Sequence, residues 1–355
     1  MPEIRRAEQH KKPGVCYAVT NDGLELPVVD VTHPAFDCAL SDEKQQALRV
    51  HFLEEQRRFA RLPGWLRAVM LRFFMRGSRI GRGLRRAEGG FLDGMTTYLF
   101  KVGPKNLGSY AVPVDRRILM SLPAVSVRLR LSDMARLLAD GLAPRLTKDV
   151  RRPLWFVNIA GGPAMDSLNA LLLLKREQPQ LLAERRITLQ VLDGDENGPA
   201  FGERALAALQ APGAPLSGLD VEFRHAHYDW SRASELAPLL QQARQTDAQL
   251  VVSSEGGLFE YGSDRDIVEN LKALPRASDV FVVGSVTRDD EVIRTLKLTS
   301  TAATKPRGLP VFAALTEQAG WAIARSIARP LSDQVMLEPA THAAAQKNTF
   351  TNPGN

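Results

Sequence analysis

Only two cysteines, Cys16 and Cys38, occur in 355 residues. That is too few for a disulfide framework, and no CxxC pair or Cys/His cluster has the spacing that zinc needs. No metal is expected, and the expected setting is a reducing one, the cytoplasm. Long apolar runs are also missing: none approaches the roughly 18 residues of a membrane span. The first residues, MPEIRRAEQHKKPG, hold charges where a secretory leader holds an apolar core, so no signal peptide is expected. Acids are missing from one stretch, since Arg57 to Arg86 holds ten arginines and no Asp or Glu. Such a block meets nucleic acid, anionic lipid or an acidic protein, or is simply a solvated helix face. Nucleic acid fits poorly, because no aromatic-interleaved basic platform accompanies it. Trp65, Phe73 and Phe74 look instead like one apolar helix face.

The rest suits a soluble globular protein with a full core: 44% of residues are apolar and 24% charged. The length allows one large domain or two ordinary ones. Residues 1 to about 40 are irregular. A helical pattern starts after Ser41, a plausible N-cap, and Pro63-Gly64 ends it. WLRAVMLRFFMRGS reads as a second, amphipathic helix, and Gly77, Gly81 and Gly83 loosen the segment after it. Further helices are expected through FLDGMTTYLFKVG and from Asp115 to Leu146.

After Asp149 the texture changes. Strands are expected at 154–160, 187–193, 220–224, 249–254 and 280–285. Helices fit between them at 166–176, 199–209, 231–244 and 263–274. Repeated strand–helix–strand order implies an α/β fold, a Rossmann-like doubly wound and mostly parallel sheet. A helix at 311–320 and then WAIARSIARP and DQVMLEPA, two strands joined by a short turn, close it with an antiparallel pair. The expected organisation is a mainly α-helical region over 1–150, a Rossmann-like domain over 151–340 and a frayed tail over 341–355.

In LWFVNIAGGPAMDSLNALLLL, two glycines and a proline separate an apolar strand from a helix. In a doubly wound sheet, ligands sit beyond the strands' carboxyl ends, near the switch in strand order. Gly161 and Gly162 allow a sharp turn and close approach. The free N–H groups of the next helix favour a negative ligand group. Asp193, at the tip of the second strand, stands about 30 residues after the glycines, where an acid can accept from ribose hydroxyls. A structural Asp-Gly turn is the alternative. AGGPAMD lacks the GxGxxG spacing of a pyrophosphate cradle, which favours a smaller nucleoside cofactor over NAD.

VNIAGGPAMDSL resembles the first motif of class I S-adenosylmethionine-dependent methyltransferases, an acid and a hydrophobic residue followed by GGGPG. Asn158 stands at the acid's place, and Ala160 and Ala164 replace the outer glycines. The resemblance spans about 151–340, closing strand pair included. It implies S-adenosyl-L-methionine as cofactor, held by Asn158, Ala160, Gly161, Gly162 and Ser254, with Asp193 on the ribose. It also implies that Asp229, in HAHYDW, faces the adenine amine, with Tyr228 or Trp230 against the ring; Asp229 reads equally as an N-cap. The combination of Asp229-Trp230 with Glu255-Gly256 and Tyr261 is loosely similar to the leucine carboxyl methyltransferase branch.

The fourth strand ends in Ser254, Glu255 and Gly256. Methyl transfer is an in-line displacement from an activated sulfonium, so the protein mainly supplies alignment. Glu255 is the expected catalytic residue, and His225 and His227 are weaker candidates. The helical region is expected to cover a small-molecule acceptor, with Tyr98, Lys101, Tyr110, Arg116 and Arg117 as candidates for an acidic one. The arginine-rich stretch can meet an acidic carrier protein, and a homodimer stays open. The competing readings are an NAD(P)-dependent oxidoreductase, an RNA-binding protein and a non-catalytic methyltransferase-like subunit.

Overall fold

The computed structural model describes residues 11–74, 77–87, 90–149, 151–298 and 302–340. The expected tail at 341–355 and the side chains of Phe73 and Phe74 lie outside the described residues.

A two-stranded hairpin opens the described chain, β1 (Tyr17–Val19) with β2 (Glu25–Pro27). Six helices come next: α1 (Asp42–Ala60), α2 (Gly64–Phe74), α3 (Arg79–Arg86), α4 (Gly94–Val102), α5 (Pro113–Met120) and α6 (Leu122–Leu146). Ser41 caps α1 by accepting from the Lys44 N–H at 3.4 Å. The glycines at 81 and 83 do not loosen the chain. Both are buried inside α3, and a Cβ on Gly83 would overlap the Thr96 side chain of α4.

The second half alternates β3 (Leu154–Ile159), α7 (Met165–Glu177), β4 (Arg186–Leu192), α8 (Asn197–Gln210) and β5 (Asp220–Ala226). The expected helix at 231–244 is instead a 3-10 turn and two short helices, α9 (Leu236–Leu239) and α10 (Gln241–Gln245). Pro238 explains part of this: it lacks an N–H and its ring strikes the preceding turn. Then come β6 (Gln249–Ser254), α11 (Leu258–Tyr261), α12 (Asp264–Ala273), β7 (Phe281–Thr287), α13 (Glu291–Lys297), α14 (Gly308–Gln318), β8 (Trp321–Ala328) and β9 (Ser332–Pro339).

The seven strands from β3 onward form one sheet in the order β5-β4-β3-β6-β7-β9-β8. The first five are parallel, and β9 runs antiparallel to both β7 and β8. Residues alternate between the two faces. Leu154 and Phe156 join one core with α4, α6 and α7. Trp155, Val157 and Ile159 join the other with α12 and α14. The expected boundary near residue 150 is therefore not a boundary between cores, since α6 lies on the same sheet face as α7. Ion pairs tie α6 to the antiparallel edge: Arg329 grips Asp133 through two hydrogen bonds of 2.6 and 2.8 Å, and Arg145 meets Glu338 at 2.8 Å.

Candidate active site

Strand order reverses at β3, so a crevice opens beyond the carboxyl ends of β3, β4 and β6. The helices α1, α3, α4 and α6 roof it. The result is a cavity of about 1670 Å³, reaching from the glycine turn to α13.

The glycine turn is strained and tightly packed. Ala160, Gly162 and Ala164 all have φ near +50°. That left-handed region costs a residue with a Cβ roughly 1–2 kcal/mol. Gly161 and Gly162 both line the cavity, but a ligand is not the only thing that demands them. A Cβ on Gly161 would overlap the Asn158 side chain, and one on Gly162 would sit 3.2 Å from the Gly94 Cα. A Cβ on Gly198 would come within 2.9 Å of the Gly162 Cα. The turn is thus where the starts of α4 and α8 meet it, backbone on backbone. Gly162→Val should lower stability by roughly 2–4 kcal/mol with no ligand present, from left-handed strain plus overpacking. An unchanged melting temperature in the apo protein would show that the turn adapts to a side chain.

Asp193 stands half-buried at the tip of β4 and lines the cavity. Its carboxylate accepts from the Gly162 N–H at 2.8 Å and from the Asp195 N–H at 2.9 Å. Burial pushes its pKa up, while these two backbone donors pull the other way. The acid thereby joins the tips of β3 and β4. The His225 ring meets the Asp193 carbonyl rather than the cavity, whereas exposed His227 lines the cavity.

Tyr228, Asp229 and Trp230 line the far side. The Tyr228 hydroxyl donates to Asn270 at 2.6 Å, which fixes the ring. Asp229 is exposed and accepts from the Ser231 N–H at 2.9 Å, so it does cap the turn. That donor holds its carboxyl below the usual range. Phe91, from the segment before α4, was not foreseen. It meets Trp230 and Tyr261 edge-on, with ring centroids 5.2 and 5.1 Å away, and carries the helical region to this wall.

Two expected cofactor contacts lie behind the crevice. Asn158 is fully buried. It donates to Asp166 at 2.8 Å and to Ser253 at 2.7 Å, and accepts from Ser167 at 3.2 Å. Ser254 accepts from the Leu258 N–H at 3.0 Å and starts α11. Asp166, the partner of Asn158, has its pKa pushed up to about 6, chiefly by burial and then by Glu255. A raised carboxylate pKa costs stability as pH rises from its unfolded value, near 4, through its folded value, and the cost stays above that. The shift corresponds to about 3 kcal/mol. Asp166→Asn resembles the protonated acid, so the variant should lose this fall in stability between about pH 4 and 6. Denaturant titrations across that range check it; an identical slope in both proteins would exclude Asp166 as the source.

Glu255 lines the cavity with its side chain only 3% exposed. It accepts from Lys101 at 2.7 Å and lies 3.5 Å from the Arg130 Nε. Arg130 also reaches Glu260 at 3.2 Å, and its guanidinium occupies the space beside Gly256 that a Cβ would need. Burial works against the Arg130 charge, but Glu260 and Glu255 hold it in place. Arg130 and Glu260 were missed by sequence reasoning. Little in the sequence pointed to Arg130, because α6 also carries Arg128, Asp133 and Arg136 close by.

Of the residues expected to meet an acceptor, only Lys101 reaches the cavity. Tyr98 is fully buried; its hydroxyl donates to the Pro27 carbonyl and accepts from the Val29 N–H at 3.2 Å, and burial drives its pKa up. Tyr110 is half-buried against the first core. Arg116 and Arg117 are exposed and donate to the Gly108 carbonyl and Glu55. Neither lines the cavity, although Glu55, the partner of Arg117, does.

No protein-family model matches the chain, and no curated protein does. Solved structures do. The chain is similar to a "possible exported protein" from Bordetella parapertussis at 19% identity, over 85% of this chain and 100% of that one, with a TM-score of 0.53. It is also similar to the mitomycin 7-O-methyltransferase MmcR at 17% identity, over 64% of this chain and 58% of that one, with a TM-score of 0.37. A magnesium protoporphyrin IX methyltransferase from Synechocystis PCC 6803 with bound SAH matches at 11% identity, over 61% and 86%, with a TM-score of 0.40. At 19% identity the likeness to the Bordetella protein is one of fold alone: five parallel strands ordered about β3 and closed by an antiparallel pair, a Rossmann-like doubly wound sheet. Among the described residues no helix is long and apolar enough to cross a membrane, and no His, Cys, Asp and Glu cluster suits a metal.

Proposed function

We propose that the protein is a methyltransferase that binds S-adenosylmethionine and methylates a small molecule. The observation that carries this reading is the half-buried Asp193 carboxylate at the tip of β4, beside the glycine turn on one cavity wall. In this reading Asp193 accepts from the ribose hydroxyls through lone pairs its two backbone donors leave open. Tyr228 and Trp230 flank the base, and Asp229 receives its amine. The bound group supplies an activated methyl on a sulfonium.

The chain's own contribution is alignment and exclusion of water. The helices α1, α3, α4 and α6 cover the crevice. Glu255 lies at the carboxyl end of β6, in reach of the cavity, with Lys101 and Arg130 fixing its carboxylate. That carboxylate is the group best placed to touch donor or acceptor. An acidic carrier would meet Arg82, Arg85 and Arg86, which are exposed and carry no ion pair among the described residues. The two unpaired thiols suit a cytoplasmic location.

The test is incubation of the protein with S-adenosylmethionine and fractionated metabolites, read by mass spectrometry. The expected product is an acceptor heavier by one CH₂, together with S-adenosylhomocysteine. Turnover of NAD(P) with no methylated product would replace this reading by the oxidoreductase.

A further inference from the structure

The cavity exceeds the roughly 300–1,000 Å³ of a single small-molecule site, at about 1670 Å³. A nucleoside along the glycine turn and the tip of β4 leaves much of it unfilled. The remainder has two kinds of lining. Next to the nucleoside lies a belt of Lys101, Glu255, Arg130 and Glu260, with side chains between 3% and 17% exposed. The lining also includes the apolar residues Phe52, Ile118, Val127, Ile293 and Leu331, with Glu55, Gln56 and Lys297 among them. Three of these, Phe52, Ile293 and Leu331, belong to a small hydrophobic cluster separate from the two sheet cores. It is built from α1, α6, α13 and the turn between β8 and β9, none of which the nucleoside end uses.

The four belt side chains balance, two cations against two carboxylates, and the buried Asp166 carboxyl stands close enough for Glu255 to raise its pKa. A further negative charge buried there would have no counterpart. A neutral polar group has a partner to find, because the Lys101 ammonium, which lines the cavity, has three donors and gives one to Glu255. We infer that the second ligand is a neutral, hydroxyl-bearing amphiphile, its hydroxyl at the belt of Lys101, Glu255 and Arg130 and its hydrocarbon body against Phe52, Ile118, Val127, Ile293 and Leu331. This rests on the methyltransferase reading only in calling that ligand the acceptor.

The test is calorimetry on the full chain with three probes: 4-heptylphenol, 4-heptylbenzoate and phenol. S-adenosylhomocysteine is titrated separately. 4-Heptylphenol should bind at least about tenfold more tightly than phenol, which lacks the body, and than the benzoate, which carries a charge. Val127→Trp, which crowds the apolar lining from α6, should weaken 4-heptylphenol about tenfold and leave S-adenosylhomocysteine affinity within about twofold. Ile118→Trp serves if Val127→Trp fails to fold by circular dichroism. Equal affinity for phenol, preference for the benzoate, or a folded tryptophan variant with undiminished 4-heptylphenol binding would each overturn the inference. If the three probes rank as expected and S-adenosylhomocysteine does not bind, the amphiphile site stands and the methyltransferase reading falls.

Discussion

Arg130→Met lowers the unfolding free energy by about 3–5 kcal/mol, the usual cost of removing one partner from a buried ionic cluster. The guanidinium lies between two carboxylates, Glu255 at 3.5 Å and Glu260 at 3.2 Å. Methionine nearly matches its bulk but leaves Glu255 with Lys101 and takes from Glu260 its cation partner. Burial already raises the pKa of Glu260, and Arg130 opposes that. Without Arg130 the carboxyl rises further. A raised carboxylate pKa costs stability above the unfolded value, so the deficit is small in acid and grows as pH rises. Denaturant midpoints from pH 4 to 8 check this. Adding Glu260→Gln should recover part of the loss, because the two residues are in contact and their effects do not add. A single variant as stable as the wild type would mean that the cluster is solvated and that the roof above it is open.

Asp193→Ala should weaken S-adenosylhomocysteine binding by roughly 1–3 kcal/mol, about 5- to 150-fold, the cost of leaving buried polar partners unmatched. The carboxylate has two tasks, since it also accepts from the Gly162 and Asp195 N–H groups. The alanine variant therefore also loosens the junction between β3 and β4. Asp193→Asn separates the tasks: its carbonyl still accepts one backbone N–H, while its amide cannot accept from a ribose hydroxyl. It should retain most of the apo stability and lose much of the affinity. Full affinity in both variants would remove Asp193 from the site.

The sheet was legible because its inner strands are buried on both faces. Apolar stretches such as LWFV and LVV stand out, and the boundaries of their strands fall within a residue or two of expectation. The hairpin β1–β2 was not legible, because three residues per strand show no period. In the site, residue type was readable but partners were not. Asn158 and Ser254 sit on their strands as expected, yet their side chains turn into local hydrogen bonds behind the crevice. Tyr98 and Lys101 lie one helical turn apart on α4, yet only the lysine reaches the cavity. A single sequence gives their spacing on α4 but not which core the helix packs against. The same limit hid Arg130, whose partners lie 125 or more residues later in the chain.

Calorimetric titration of the wild-type protein with S-adenosylhomocysteine, and with NAD in parallel, bears most directly on the proposed cofactor. One site per chain for S-adenosylhomocysteine, weakened in Asp193→Asn, and no binding of NAD is the predicted result. Silence with S-adenosylhomocysteine in a folded protein, or saturable binding of NAD at the same crevice, would contradict it.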